Sequence, residues 1–200
     1  MSLDIKDMFQ GYQGYNQLLI VTCEITNWVT AIPLKDATTK TLFEAIYQKI
    51  VCFWGPPKVI ILDKQSLLTS NMMEKLYQML RIRPLFISKD NHGSNRTERY
   101  IQTINKRICC YLQDEGRNWP LYVAPCVYAM NTFVSASTGF SPYELVFIRY
   151  APTLTELEQG FEAIPEQTED VEEYVKHMRT RLALVKKMIF RSEEHTSELQ

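Results

Sequence analysis

The fold of this chain is indicated first by an apolar run closed by an acid, Val59-Ile60-Ile61-Leu62-Asp63. A strand that is apolar on both faces is typical of the centre of a sheet covered by helices on each side. In α/β sheets of that kind, functional residues gather at the carboxyl ends of the strands. The run therefore predicts a buried central strand that places Asp63 at a functional edge.

Three strands in meander order are predicted before this run. Residues 2–7 alternate in polarity, and apolar segments follow at 17–23 and 28–33. A helix is then expected, capped by Thr38 or Thr39 and ended by the Gly-Pro-Pro sequence that precedes the central strand. Helical spacing predicts its inward residues to be Leu42, Phe43, Ile46, Ile50 and Phe53.

Three helices and a fifth strand are predicted after Asp63. The first helix covers about 70–81, the strand covers 84–88, a long helix starts near Asn95, and another covers 119–134. The predicted inward residues of the first helix are Met72, Met73, Leu76, Met79 and Leu80. Those of the long helix are Ile101, Ile104, Ile108 and Leu112, and the last helix is expected to pack through Trp119, Tyr122, Val123, Val127, Tyr128 and Met130.

Three acids on separate predicted elements suggest a two-metal site for phosphoryl transfer. They are Asp4 on the first strand, Asp63 after the central strand, and Glu98 at the head of the long helix. Divalent cations such as Mg²⁺ take oxygen ligands, and two of them can clamp both oxygens of an in-line displacement. Each acid also has an ordinary interpretation: Glu98 has capping-box spacing from Asn95, Asp4 can be an exposed strand residue, and Asp63 can simply start a loop.

Composition is that of a globular protein, with 46% hydrophobic and 22% charged residues among 200. The five cysteines contain no CxxC pair, so they are predicted to be buried thiols of a reducing compartment. No signal peptide or membrane-length apolar run is present, so we expect an intracellular protein, in nucleus or cytoplasm, without a membrane partner. Residues 1–150 carry 16 Lys and Arg against 12 Asp and Glu, whereas residues 151–200 carry 6 against 11, so only the first part could face a polyanion.

Several ordered motifs resemble the integrase catalytic core of retroviruses and gypsy-type LTR retrotransposons. The resemblance covers most of residues 1–150, and its last motif is similar to a Thr-Gly-x-Ser-Pro-[Phe/Tyr]-Glu-Leu pattern of that family. The matching segments are LDIK at 3–6, DKQSLLTS at 63–70, NH at 91–92, ERYIQTIN at 98–105 and TGFSPYELVF at 138–147.

This resemblance implies an RNase H-like fold, an α/β fold whose five-stranded mixed sheet is flanked by helices. It implies that Asp4, Asp63 and Glu98 form a catalytic triad that binds two Mg²⁺ or Mn²⁺ ions. The implied activity is polynucleotidyl transfer: hydrolytic processing of the element's DNA 3′ ends, followed by strand transfer into target DNA by a homo-oligomer. Contacts to nucleic acid are expected from His92, Arg96, Arg99, Lys106 and Arg107, although surface histidines and solvated basic helix faces are common.

An alternative is a decayed or co-opted integrase-like domain that only binds nucleic acid or a protein partner. The family's Asp-x-Gly-Ser is here Asp-Lys-Gln-Ser at 63–66, and its Pro-Gln after His92 is replaced by Gly-Ser. An unrelated RNase H-like nuclease is a third hypothesis, which the Ser-Pro-Tyr-Glu-Leu segment disfavours. Divalent-metal binding distinguishes the first two hypotheses.

Three regions are predicted along the chain. Residues 1–150 form the integrase core-like domain, and residues 151–190 form a linker and an amphipathic helical extension. Residues 191–200 are identical to the in-frame translation of a DNA sequence resembling a common sequencing-library adapter, so they are expected to have no role in the fold. We expect the chain to be a fragment of a Pol polyprotein.

Overall fold

A computed structural model of the chain describes most of the predicted sheet and part of the helices around it. The described residues are 1–63, 68–87, 106–135, 139–151 and residue 180. The strands are β1 (Ser2–Asp7), β2 (Gln17–Thr22), β3 (Val29–Leu34), β4 (Val59–Asp63) and β5 (Arg83–Ile87).

These strands form a five-stranded mixed sheet in the order β3-β2-β1-β4-β5. The first three strands pair antiparallel, and β4 pairs parallel with both β1 and β5. The apolar run 59–62 thus lies in an internal strand, and the predicted mixed sheet with flanking helices is confirmed. It is consistent with an RNase H-like α/β fold.

The helices follow in chain order between and after the strands. They are α1 (Thr39–Ile46), α2 (Cys52–Trp54), α3 (Asn71–Met79), the helical residues 106–114, here named α4, α5 (Trp119–Thr132) and α6 (Pro142–Phe147). Thr38 caps α1 as predicted, because its side-chain oxygen accepts a hydrogen bond from the Thr41 backbone N–H at 3.2 Å. The predicted extension beyond residue 151 and the segment 191–200 lie outside the described residues, except Thr180.

Two core layers cover the two faces of the sheet. The strand β2 shows this directly, because its successive side chains alternate between the layers. Leu19 and Val21 pack with buried residues of α1 and α3, whereas Leu18 and Ile20 pack with buried residues of α4 and α5. We call these the α1/α3 layer and the α4/α5 layer. Burial on both faces explains why β2 and β4 contain few polar residues.

The predicted stripe of the first helix fails at its end. Leu42, Ile46 and Ile50 are buried, but Phe53 is 72% exposed. Between α1 and α2 the chain makes a π-helical turn, Tyr47–Val51, which takes more residues per turn than an α-helix. This turn changes which helix positions face the core after Ile50, so Val51 is buried and Phe53 points to solvent.

Aromatic and thiol side chains replace some predicted residues in α3 and α5. In α3, Met73 and Leu76 are buried as predicted, but Met72 and Met79 are exposed, and Tyr77 takes an inward position that was not predicted. The Tyr77 hydroxyl donates a hydrogen bond to the Leu68 carbonyl at 3.4 Å, and burial raises the pKa of Tyr77 to about 12. In α5, Trp119 and Val123 are buried as predicted, Tyr122 and Tyr128 are exposed, and Cys126 occupies the core.

The chain divides into two compact units, Met1–Met130 and Asn131–Gln200. The first contains the sheet. In the second, Ser141 and Glu144 form a capping box at the start of α6, where each side chain bonds the backbone N–H of the other residue. The division into regions at residues 150 and 190 stays a prediction.

The cysteines are all free thiols, but they are not all buried. Cys126 is buried, Cys23 and Cys109 are partly exposed, and Cys52 and Cys110 are exposed, so the prediction of five buried thiols is wrong for most of them. Within the described part of the chain, no helix has the length and apolarity needed to cross a membrane.

Candidate active site

The register of the central strands brings the positions of Asp4 and Asp63 side by side. On the parallel strands β1 and β4, Ser2 pairs with Ile61 and Leu3 pairs with Leu62. The next residue on each strand is an aspartate, Asp4 on β1 and Asp63 at the end of β4. Neighbouring strands lie about 4.8 Å apart, so the two backbone positions are separated by roughly one strand spacing.

Asp4 points into the α4/α5 layer. On the antiparallel neighbour β2 it pairs with Ile20, and directly paired residues share a face of the sheet. Ile20 is buried with Ile108 of α4 and Trp119 of α5. The carboxylate of Asp4 therefore lies on the face of the sheet that α4 covers, and the Asp4 side chain is 23% exposed.

The Asp4 carboxylate is paired with an ammonium group from its own strand. Lys6 lies two residues farther along β1 and thus on the same face, and its Nζ is 2.7 Å from Asp4 Oδ2. Sequence reasoning missed Lys6, although the strand period of two would have placed it beside Asp4.

Cys109 of α4 lies within electrostatic reach of this pair. Burial raises the pKa of the Cys109 thiol; the positive charge of Lys6 opposes this shift, and the negative charge of Asp4 adds to it. Cys109 packs against the α4/α5 layer, which covers the face of the sheet that carries Asp4 and Lys6.

The remaining predicted site residues fall into two groups. Lys106 and Arg107 are exposed at the described start of α4, while Ile108 and Leu112 are fully buried on its inner face, as the predicted stripe requires. The others lie outside the described residues: Glu98, His92, Arg96 and Arg99. The described structure therefore brings two of the three acidic positions together.

The described donor chemistry suits a hard divalent cation. Hard divalent cations take oxygen ligands such as carboxylates, and an aspartate occupies the adjacent position on each of the two neighbouring strands. Among the side chains that the structure describes, no group of three His, Cys, Asp or Glu forms a metal site. The side chains of Asp63 and Glu98 do not belong to that set, so the three-acid site remains a prediction.

We expect the cysteines to differ in reactivity according to their positions. Burial raises the pKa of Cys126 and Cys109, which lowers their thiolate fraction, and the core blocks access to Cys126. Alkylation of the folded protein, followed by mass spectrometry, should modify Cys52 and Cys110 at least about tenfold faster than Cys126. In denaturant all five should react at similar rates; equal rates in the folded protein would contradict the position of Cys126 in the α4/α5 layer.

Known proteins similar to this chain come from retroelements. It is 26% identical over 172 residues to the Retrovirus-related Pol polyprotein from transposon 412 of Drosophila melanogaster, covering 84% of this chain and 14% of that protein. It is 24% identical over 160 residues to the Transposon Tf2-3 polyprotein of Schizosaccharomyces pombe, covering 79% of this chain and 12% of that protein. No protein-family model matches the chain. The homologues of this chain are thus retrotransposon Pol polyproteins, and the chain, which has an RNase H-like sheet, spans only a small part of their length.

Proposed function

We propose that this chain is the catalytic core of a retroelement integrase, which processes DNA 3′ ends and transfers them into target DNA. The observation that supports the proposal most directly is the register of β1 and β4, which sets the positions of Asp4 and Asp63 side by side. Both aspartates fall in segments that resemble integrase motifs. The similarity to Pol polyproteins supplies the retroelement context.

The proposed reaction is an in-line displacement at a phosphodiester. Water attacks in the processing step, and a DNA 3′ hydroxyl attacks in the transfer step, so no covalent protein intermediate is needed. When bound, two Mg²⁺ or Mn²⁺ ions would polarise the phosphodiester and stabilise both the attacking and the leaving oxygen. Asp4, Asp63 and Glu98 would hold these ions through carboxylate oxygens.

DNA is the substrate that this reaction implies. Lys106 and Arg107 are exposed on α4, the helix that covers the face of the sheet carrying Asp4, and this exposure supports a role in phosphate contacts. The proposal extends to His92, Arg96 and Arg99. A second copy of the chain is the other proposed partner, and the exposed apolar residues Leu121 and Tyr122 of α5 provide a surface for it.

The test is a strand-joining assay with the full chain on branched DNA that mimics the integration product. We expect joining in the presence of Mn²⁺ or Mg²⁺ and its complete loss on addition of EDTA, with recovery when excess Mn²⁺ is restored. Ca²⁺ serves as a control that binds carboxylates with a looser geometry. A folded protein that joins no DNA under Mn²⁺ would contradict the proposed enzymatic activity and favour the decayed or co-opted domain. The sequence change closest to Asp63 that would accompany such a loss is Gln65, which stands where the family motif has glycine.

A further inference from the structure

The Asp4–Lys6 ion pair has a consequence for how the proposed site binds a cation. Lys6 Nζ lies 2.7 Å from Asp4 Oδ2, at the carboxylate that the proposed function assigns to a metal. A divalent cation and an ammonium repel each other, so they cannot both bond closely to one carboxylate without a loss of affinity. Metal binding at Asp4 must therefore compete with Lys6.

The exposure of both side chains allows Lys6 to separate from Asp4. The Lys6 side chain is 42% exposed and that of Asp4 is 23% exposed. Ion pairs that reach solvent contribute little to stability, because water screens the charges and the long side chain loses entropy on being held. A lysine ammonium is a compact charge on a flexible stem, so it can leave the carboxylate while its strand position stays fixed.

Once displaced, Lys6 remains on the same face of β1, beside α4. Lys6 pairs with Leu18 of β2, which is buried in the α4/α5 layer, so the Lys6 side chain lies in the space on the side of the sheet that α4 covers. Once it has left Asp4, the Lys6 ammonium can bind a phosphate of bound nucleic acid, because Lys binds phosphate as a point charge.

We propose that Lys6 is a positioning residue that couples metal binding to nucleic-acid binding. It occupies the Asp4 carboxylate in the metal-free protein and moves to a DNA phosphate when a divalent cation takes that carboxylate. This inference rests on the proposed function. By linkage, DNA should then raise metal affinity more strongly in the wild type than in a protein without the Lys6 charge.

The experiment is a calorimetric titration of the full chain with Mn²⁺ alone, comparing wild type with Lys6→Met. Removing the competing charge should strengthen Mn²⁺ binding by about two- to fivefold, the range expected for one partly exposed ion pair. Lys49→Met, which removes an exposed lysine on the π-helical turn, is the matched control and should leave Mn²⁺ affinity unchanged. Lys6→Arg keeps the charge and should also behave like wild type.

A second titration measures binding of fluorescent duplex DNA with and without Mn²⁺. Mn²⁺ should improve DNA binding in the wild type by a larger factor than in Lys6→Met, whereas a purely structural role of Lys6 would not change that factor. Unchanged Mn²⁺ affinity in a folded Lys6→Met protein would overturn the inference. If Asp4→Asn nevertheless abolished Mn²⁺ binding in that case, the proposed function would stand without the inference. If neither the wild type nor any variant bound Mn²⁺, the inference and the proposed function would both fail.

Discussion

Replacement of Asp4 by Asn is expected to abolish DNA joining while leaving the fold intact. Asn has the shape of Asp but lacks the charge that holds a divalent cation. Metal ions supply several kcal/mol of transition-state stabilisation, so a loss of about 4 kcal/mol corresponds to a rate decrease of about 10³-fold. The measurement is the initial rate of strand joining at the Mn²⁺ concentration that saturates the wild type, and Asp63→Asn should give a loss of similar size.

Asp7→Asn is the matched control for this prediction. Asp7 lies on the same strand, is exposed, and accepts a hydrogen bond from Gln17 Nε2 at 2.8 Å, away from the paired aspartate positions. Its substitution should leave the joining rate near that of wild type. For Asp4→Asn, thermal unfolding should change little, because a partly exposed ion pair contributes about 0–1 kcal/mol. A wild-type joining rate in Asp4→Asn would refute the assignment of Asp4 to the metal site.

The sheet could be predicted from sequence because its signals are local. Alternation in β1 and the apolar run of β4 each require only a few consecutive residues. The helix stripes were predicted less well where a local irregularity changes the phase: the π-helical turn before Phe53 has no clear sequence signature. Tyr77 was missed for a different reason, since its buried hydroxyl needs an acceptor, and the Leu68 carbonyl that accepts its hydrogen bond lies outside α3.

The site shows the same division between local and non-local information. Asp4 and Asp63 were identified as candidates from their places on strands, but the pairing of Leu3 with Leu62 is a tertiary fact that no local pattern gives. Lys6 does not stand out in the sequence, because a divalent-cation site is recognised by its carboxylates and not by a cationic neighbour. The strand period places Lys6 on the same face as Asp4, so the signal was present in the sequence.

Replacement of Trp119 by Ala is expected to be the most destabilising change in the unit Met1–Met130. Trp119 is fully buried in the α4/α5 layer against residues such as Leu18 and Ile108, and its indole N–H donates to the Phe9 carbonyl at 3.0 Å. Removing a buried aromatic side chain leaves a cavity and costs about 3–5 kcal/mol. Urea unfolding followed by circular dichroism measures this loss without relying on tryptophan fluorescence.

Two further variants separate the contributions of this side chain. Trp119→Phe keeps most of the apolar volume but removes the donor to Phe9, so it should cost less than Trp119→Ala. Gly11→Ala tests the contact from the opposite side, because an added Cβ would lie 2.5 Å from Trp119 Nε1 and 2.8 Å from Pro120 Cγ. Overpacking of this kind costs about 1–3 kcal/mol, and part of that cost should vanish in the Trp119→Ala background, where the indole is gone. Additive costs in the double variant would show that Gly11 and Trp119 do not share this contact.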